Sequence, residues 1–523
     1  MKKLLLVSVL AVAILGLLAA PAWACARTIY VHPSGGDDTA NIQAAFNAAV
    51  AAGPGSTVRL SAGRFYANNI VVAGFKGTFK GAGQGRTFID TLRGLNENNP
   101  GIDVPIAADG GVLAPVPMFF AFDGGNVRVC DLSFDITAPD PAVESYYYGA
   151  PQNNVDTIVL VTGSASSAFD RVGFVAHPSA AGFTADGWPY NVNQCITIAG
   201  RVPAFDSDGN YGLPTTPVGG VDTVSSCTMR NVSHGVVATV FDGTLIVGGS
   251  PSTGNRFVNE GQNAFTIVTG GASTVFSYNV VDDSAVPDDS TLQCGVVSFQ
   301  PDNSTGFTPW PRHLVIAHNT MLGCWEGVVA WQTDDGSGGP AWPLRLLIAD
   351  NSITTTHSQD EGMLLEDDSL APGGGGGKTL DAMATGNHIV LNDTIGGGID
   401  GCFVNDAMVL GNRISGTGLA GIFVGTPASG DTAPNSDSGW KIIGNNVSGV
   451  TADGSYYGVT SAPIWLGTGA THCLVVGGKA TTQVLDQGTD DTLINVTKLP
   501  LPATASASPM GQTKRMLMKG DLP

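Results

Sequence analysis

The sequence predicts an all-β parallel solenoid closed at its N-terminal end by one α-helix. Three observations carry this prediction. A short Asn motif recurs along the chain, a glycine-led apolar strand recurs between its copies, and one amphipathic segment stands near the start. Glycine supplies 71 of 523 residues, about twice the usual share, while charged residues are only 13%. That balance suits short strands joined by tight turns and argues against long helices.

Taken in chain order, Lys2 and Lys3 precede the apolar run LLLVSVLAVAILGLLAA, and Ala22-Trp23-Ala24 follows. A charged start, an apolar middle and an A-x-A end read as a secretory signal peptide over residues 1–24. Cys25 comes directly after, which suggests lipid anchoring as a minority reading beside free secretion, extracellular or periplasmic. Loss of the two lysines takes the formal charge from −20 to −22. So acidic a chain is unsuited to nucleic acid or anionic membrane surfaces. No second apolar run is long enough to span a bilayer.

The next element is DDTANIQAAFNAAVAAG (Asp37–Gly53). Ile42, Ala45, Phe46, Ala49 and Val50 fall on one face at helical spacing, which predicts a helix over about 38–52 with Asp38 at its N-cap and Gly53 at its stop. Solenoid ends need covering, because the first coil leaves its core and backbone open. The helix is expected to be that lid.

The repeats follow. Asn, any residue, then an apolar residue recurs at Asn255, Asn279, Asn319, Asn351, Asn387, Asn412 and Asn445, with Asn231 a looser member and Gly478 a degenerate one. The shortest intervals are 24 and 25 residues, and the longer ones read as coils carrying insertions. Between them lie GVVAT at 235, GVVSFQ at 295, GVVAWQ at 327, GMLLED at 362, GCFVND at 401, GIFVGT at 421 and the looser APIWLGT near 463. Two short strands per repeat predict a parallel solenoid domain over 25–498, its coils about 4.8 Å apart. Inward Asn side chains at equivalent turns would bond to one another, a structural use. The seven cysteines beyond Cys25 are widely spaced and read as small buried hydrophobes. The Pro/Ala/Ser-rich end, 499–523, reads as a disordered tail.

DDTANIQAAFNAA, GSTVRLSAGRFY (Gly55–Tyr66) and GTFKGAGQGRTFID (Gly77–Asp90) resemble the opening region of pectin-lyase-like proteins, the right-handed parallel β-helices. The resemblance covers Asp37–Asp90 closely and Val127–Val496 through coil pattern. It implies a right-handed parallel β-helix, a fold that carries hydrolases, lyases, epimerases, tailspikes and non-catalytic surface proteins, so chemistry must come from the site. Asn154-Val155-Asp156 and His234-Gly235 resemble pieces of the polygalacturonase series, but its paired Asp and its R-x-K are missing.

Counting four and five residues past each repeat glycine aligns Phe299/Gln300, Trp331/Gln332, Glu366/Asp367 and Asn405/Asp406. Long insertions follow at 300–312, 332–344, 366–380 and 426–439, and stacked insertions raise a wall beside a groove. Trp310 and Trp342 lie within them. Glycoside cleavage needs two carboxyl groups, one to protonate the leaving oxygen and one ionised. Glu366, Asp367 and Asp406 are therefore the candidate catalytic acids, and Trp331, Gln332, Gln300, Trp310 and Trp342 the candidate sugar contacts. A second acidic series, Glu326, Glu361 and Asp400, precedes the glycines and is expected at a separate place on the strands. Three functional readings stay open. The first is a cofactor-free polysaccharide hydrolase; the second is a glycan-binding or structural β-helix. The third is a calcium-dependent lyase in which the same acids hold the ion.

Overall fold

The computed structural model describes residues 26–92, 118–136, 155–177, 192–200 and, with short interruptions, 219–501. The leader, the lipidation candidate Cys25, Trp310, Trp342, the insertions and the tail beyond 501 lie outside the described residues. Every strand pairing among the described residues is parallel, and coil stacks on coil in register apart from local shifts at Gly125/Asn126, Leu322/Cys324 and Arg413/Ser415. The fold is an all-β parallel β-helix.

A coil contains three short strands where the sequence pattern suggested two. One coil runs Arg312–Ala317, Thr320–Cys324, Glu326–Gln332, and the next runs Leu344–Ala349, Ser352–Thr355, Met363–Asp367. The third strands form a stack that continues through Gly397–Cys402 and Ala420–Val424. Inside it stands one apolar column, Val328–Met363–Ile399–Ile422–Ile464–Val484, each fully or almost fully buried.

The lid is helix α1 (Thr39–Ala52). Ile42, Ala45, Phe46 and Ala49 are buried, whereas Val50 is exposed and lies off the packed face. Phe46 packs against the rings of Phe75, Phe79 and Phe122 at 5.0–5.7 Å, plugging the end of the core. Asp38 sits at the N-cap position but makes no side-chain cap bond. Its carboxylate instead accepts from the Ser34 and Tyr66 amides, tying the helix start to the first coils.

The Asn series is a buried ladder from Asn255 to Asn445. In Asn351, Nδ2 donates to Asn387 Oδ1 and to the Ile316 carbonyl, both at 2.9 Å, and its own amide donates to the same Asn387 oxygen at 3.0 Å. The pattern repeats at Asn255, Asn279, Asn319, Asn387 and Asn412. It starts at the Cys227 amide, which donates to Asn255, and Gly478 follows above Asn445. Asn231 stands outside it and accepts instead from Asn259 Nδ2. From Asn279 upward the residue before each rung takes positive φ, as at Tyr278, His318, Asp350 and Gly386, so that the next side chain turns inward.

Glycines at the start of third strands have a packing cause. A Cβ on Gly362 would lie 2.6 Å from the Gly398 carbonyl oxygen and 2.7 Å from Ile389 Cγ2, a core side chain of the next coil. Gly235, Gly295, Gly327, Gly398 and Gly421 meet Phe257, Met321, Ile353, Ile414 and Val447 in the same way. Gly401 does not belong to this column. It is a glycine because the Trp440 ring fills the space its side chain would need.

Cys130, Cys195, Cys227, Cys324, Cys402 and Cys473 are free and buried. Four buried acids also contribute. Burial pushes Asp222 up to about 6, Asp437 to about 7, Asp283 to about 8, and Glu260 well above the usual carboxylate range. The Glu260 amide donates to Asp283, while Glu260 itself is fully enclosed.

Two outcomes follow for stability. Asn351→Ala leaves the Asn319 amide and Nδ2 without their acceptor and should cost about 3 kcal/mol in urea unfolding. The exposed Asn446→Ala should stay within about 0.5 kcal/mol. In the second test, the folded chain keeps protons on these four buried acids that the unfolded chain releases above about pH 4. Stability contributed by the neutral forms is therefore present in acid and lost as pH rises toward about 8. The melting temperature should fall from about pH 5 to about pH 8, with a shallower slope in Asp283→Asn; an unchanged slope would rule out this assignment.

Candidate functional site

The third-strand stack has one face toward the core and one away from it. In Met363–Asp367, Met363 and Leu365 join the core, so strand alternation sends Leu364 and Glu366 outward. Asp367 has the parity of Met363 and Leu365 and is 1% exposed. The expectation that Glu366 and Asp367 line one groove together is therefore corrected: neighbours on a strand cannot share a face.

Register corrects the second candidate. Glu366 pairs with Cys402, and Leu364 with Asp400. The glycine equivalent to Gly362 is Gly398, three residues earlier than Gly401. Asp406 thus falls beyond the strand, exposed, in a left-handed turn (φ 56°) whose amide donates to the Ser438 carbonyl at 2.7 Å. It is not a member of the Glu366 rung. The same offset moves Asp400 out of the Glu326/Glu361 series and onto the face that holds Glu366.

Around Glu366 the vertical neighbours are Trp331 below and Cys402 above. The Cys402 thiol points to Glu366 Oε1 at 3.9 Å, a weak donor contact. Asp400 lies one coil above and two residues before Glu366, about 8 Å away at ordinary strand spacings. Glu366 and Asp400 retain 8% and 9% exposure, whereas Val329 on the coil below is at 1%. Gln300, Gln332 and Asp367 follow one another in backbone register, but the side chains of both glutamines lie outside the described residues.

The outer face also carries a row that the sequence reading kept separate. Gln194, His234 and Asn263 occupy one register position on successive coils, and Glu326 and Glu361 precede the corner glycines further up. Two core-facing residues follow Gln194 and Asn263: Cys195 and Ile196 after the first, Ala264 and Phe265 after the second. This local irregularity returns the third residue to the outside, so Gln194 shares its face with Thr197 and Asn263 with Thr266. The Thr197 hydroxyl bonds to Gln194 Oε1 and lies 3.2 Å from Thr157 Oγ1. Among the described residues, no group of three or more His, Cys, Asp or Glu is arranged to hold a metal ion.

Aligning core positions rather than glycines finds Asp400, because Ile399 is the apolar partner of Met363.

No protein-family model matches this sequence, and no curated protein matches it. Several solved structures are similar to this chain over most of its length. A periplasmic alginate epimerase is 12% identical over 86% of this chain and 84% of its own, with a TM-score of 0.46. The catalytic domain of a GH87 α-1,3-glucanase is 10% identical, over 95% and 69%, at 0.40. PfbA, a surface adhesin of Streptococcus pneumoniae, is 10% identical, over 92% and 94%, at 0.40. Likeness at this level assigns neither residues nor activity.

A change at the Glu366 platform should be readable without any substrate. Trp331→Ala removes a ring that is 5% exposed and should lower stability by about 3 kcal/mol in urea unfolding. A change under about 1 kcal/mol would show that the ring is not packed beneath Glu366.

Proposed function

We propose that this chain is an exported glycan-active β-helix protein that hydrolyses glycosidic bonds, with Glu366 and Asp400 as its two carboxyl groups. The observation that supports this most is their placement. They share one outward face, lie about 8 Å apart by strand and coil spacing, and keep more access than Val329 below them. Inverting glycosidases hold their carboxyl groups roughly 6.5–9.5 Å apart, leaving room for the attacking water. One acid would protonate the leaving oxygen while the other activates that water. Trp331, directly beneath Glu366 and 5% exposed, would hold that acid in place by packing rather than offer an open ring to a sugar face.

The signal-like start and the acidic charge agree with action outside the cytoplasm on a neutral or weakly charged polymer. A binding role without cleavage is the second reading, and the deep placement of the same acids favours it.

The test is digestion of a glycan panel with the mature protein. Glu366→Gln and Asp400→Asn should each lower sugar release at least about 100-fold, and Asp406→Asn should match the unmodified protein. Full activity in Glu366→Gln, or loss only in Asp406→Asn, would overturn the assignment. Retained binding with no release from any glycan would favour the non-catalytic reading. Unsaturated products abolished by chelator would indicate a metal-dependent lyase instead.

A further inference from the structure

The first strands of successive coils form a stack of their own, which runs back from Arg312–Ala317 to Thr28–Val31 at the capped end. Core and outward residues alternate along it. Val58, Leu60, Phe79, Val127 and Val129 are buried, while Arg59, Lys76 and Arg128 are exposed. Tyr30, Arg59 and Lys80 are register partners on three consecutive coils, and Arg128 stands on the fourth, two residues before the partner of Lys80. Cations about 4.8 Å apart per coil therefore form a row along the helix axis, on a chain whose formal charge is −20.

Two acids hold part of this row in place. Asp131 pairs with Lys80 at 3.2 Å and with Arg171 at 2.7 Å; Asp170 pairs with Arg171 at 2.6 Å and with Arg128 at 2.9 Å. Three cations thus share two carboxylates. Arg59 and Lys76 form no ion pair among the described residues. Five cations against the two carboxylates in contact with them leave a surplus of three positive charges. At the outer end of the row, the Arg59 guanidinium lies 5.8 Å from the centre of the Tyr30 ring, and Tyr30 is 60% exposed.

We propose that this row is a binding site for a linear acidic polysaccharide, one that carries carboxylate or sulfate groups along its length. Charged donors repeated at coil spacing meet acid groups repeated at sugar spacing and form charge-assisted hydrogen bonds. Tyr30 offers an exposed apolar ring to a sugar face beside them. The row is one strand wide, which selects a polymer over a membrane. An extended anionic plane would meet the acidic remainder of the chain, whereas a single polymer strand stays within a Debye length of about 8 Å of the cations. This site goes beyond the reading of Glu366 and Asp400 and does not rest on it. It lies on a different stack, and it would anchor the protein to an acidic polymer distinct from the neutral or weakly charged one assigned to those two acids.

Arg59→Gln combined with Lys76→Gln removes two cations without breaking an ion pair. Arg345→Gln combined with Lys441→Gln removes the same charge from exposed positions farther along the same stack. Binding of the mature protein and both double variants would be measured on polygalacturonate, dextran sulfate, uncharged dextran and phosphatidylglycerol vesicles, at about 20 mM and about 500 mM NaCl. The unmodified protein should bind at least one acidic polymer at low salt, release it at high salt and ignore uncharged dextran. The Arg59/Lys76 variant should bind that polymer about tenfold more weakly, and the Arg345/Lys441 variant as tightly as the unmodified protein, both with an unchanged melting temperature. Equal weakening in the two variants would show a response to overall charge and overturn the site. Binding to neither acidic polymer, or to the vesicles alone, would overturn it as well.

Discussion

The asparagine ladder is the constraint on which everything else depends. Each inner rung uses both amide protons and both lone pairs of its oxygen, and each joins one coil to a carbonyl below and a side chain above. A parallel strand has no turn partner to set its register, so a slip of one residue would invert every face. Buried amides at equivalent turns, from Asn255 to Asn445, prevent that slip. They convert a chain of irregular insertions into coils that stay vertical, and vertical coils allow residues distant in sequence to act as neighbours.

Packing adds a second, independent constraint. The corner glycines give up their Cβ to apolar side chains of the following coil, so the third strands can approach the neighbouring corner closely. At the same corner, Cys195 and Ala264 stand where other coils have glycine, and there two consecutive residues turn inward. The consequence is an outer face whose polar side chains come three apart, at Gln194 and Thr197 or Asn263 and Thr266, and two apart further along. That spacing gathers acids and hydrogen-bonding groups which strict alternation would have kept on opposite sides.

Most of the fold is legible from residue types that only one environment accepts. An Asn that recurs every coil, a Gly that opens each apolar strand and a lone helix with one apolar face all announce their places. The site is legible only in part. Glu366 and Trp331 can be aligned from sequence because each of their strands opens on a single unambiguous glycine, Gly362 and Gly327. The next coil contains Gly396, Gly397, Gly398 and Gly401, and two separate packing demands, Ile414 and Trp440, each require a glycine there. Sequence spacing does not tell those demands apart, which displaces Asp400 and Asp406 together. Asp367 fails for a simpler reason: adjacency along a strand places two side chains on opposite faces.

The pairing of Glu366 with Cys402 is the part of this account most open to direct measurement. A Glu366→Cys change places a thiol one coil from the native Cys402, within the Cα separation a disulfide needs. Mild oxidation followed by peptide mass mapping should yield the 366–402 cross-linked pair in high proportion. If the thiol introduced at position 366 stays unlinked to Cys402 but pairs readily with a second one introduced by Asn405→Cys, the strands lie three residues away from the register described, and the site built on that register is wrong.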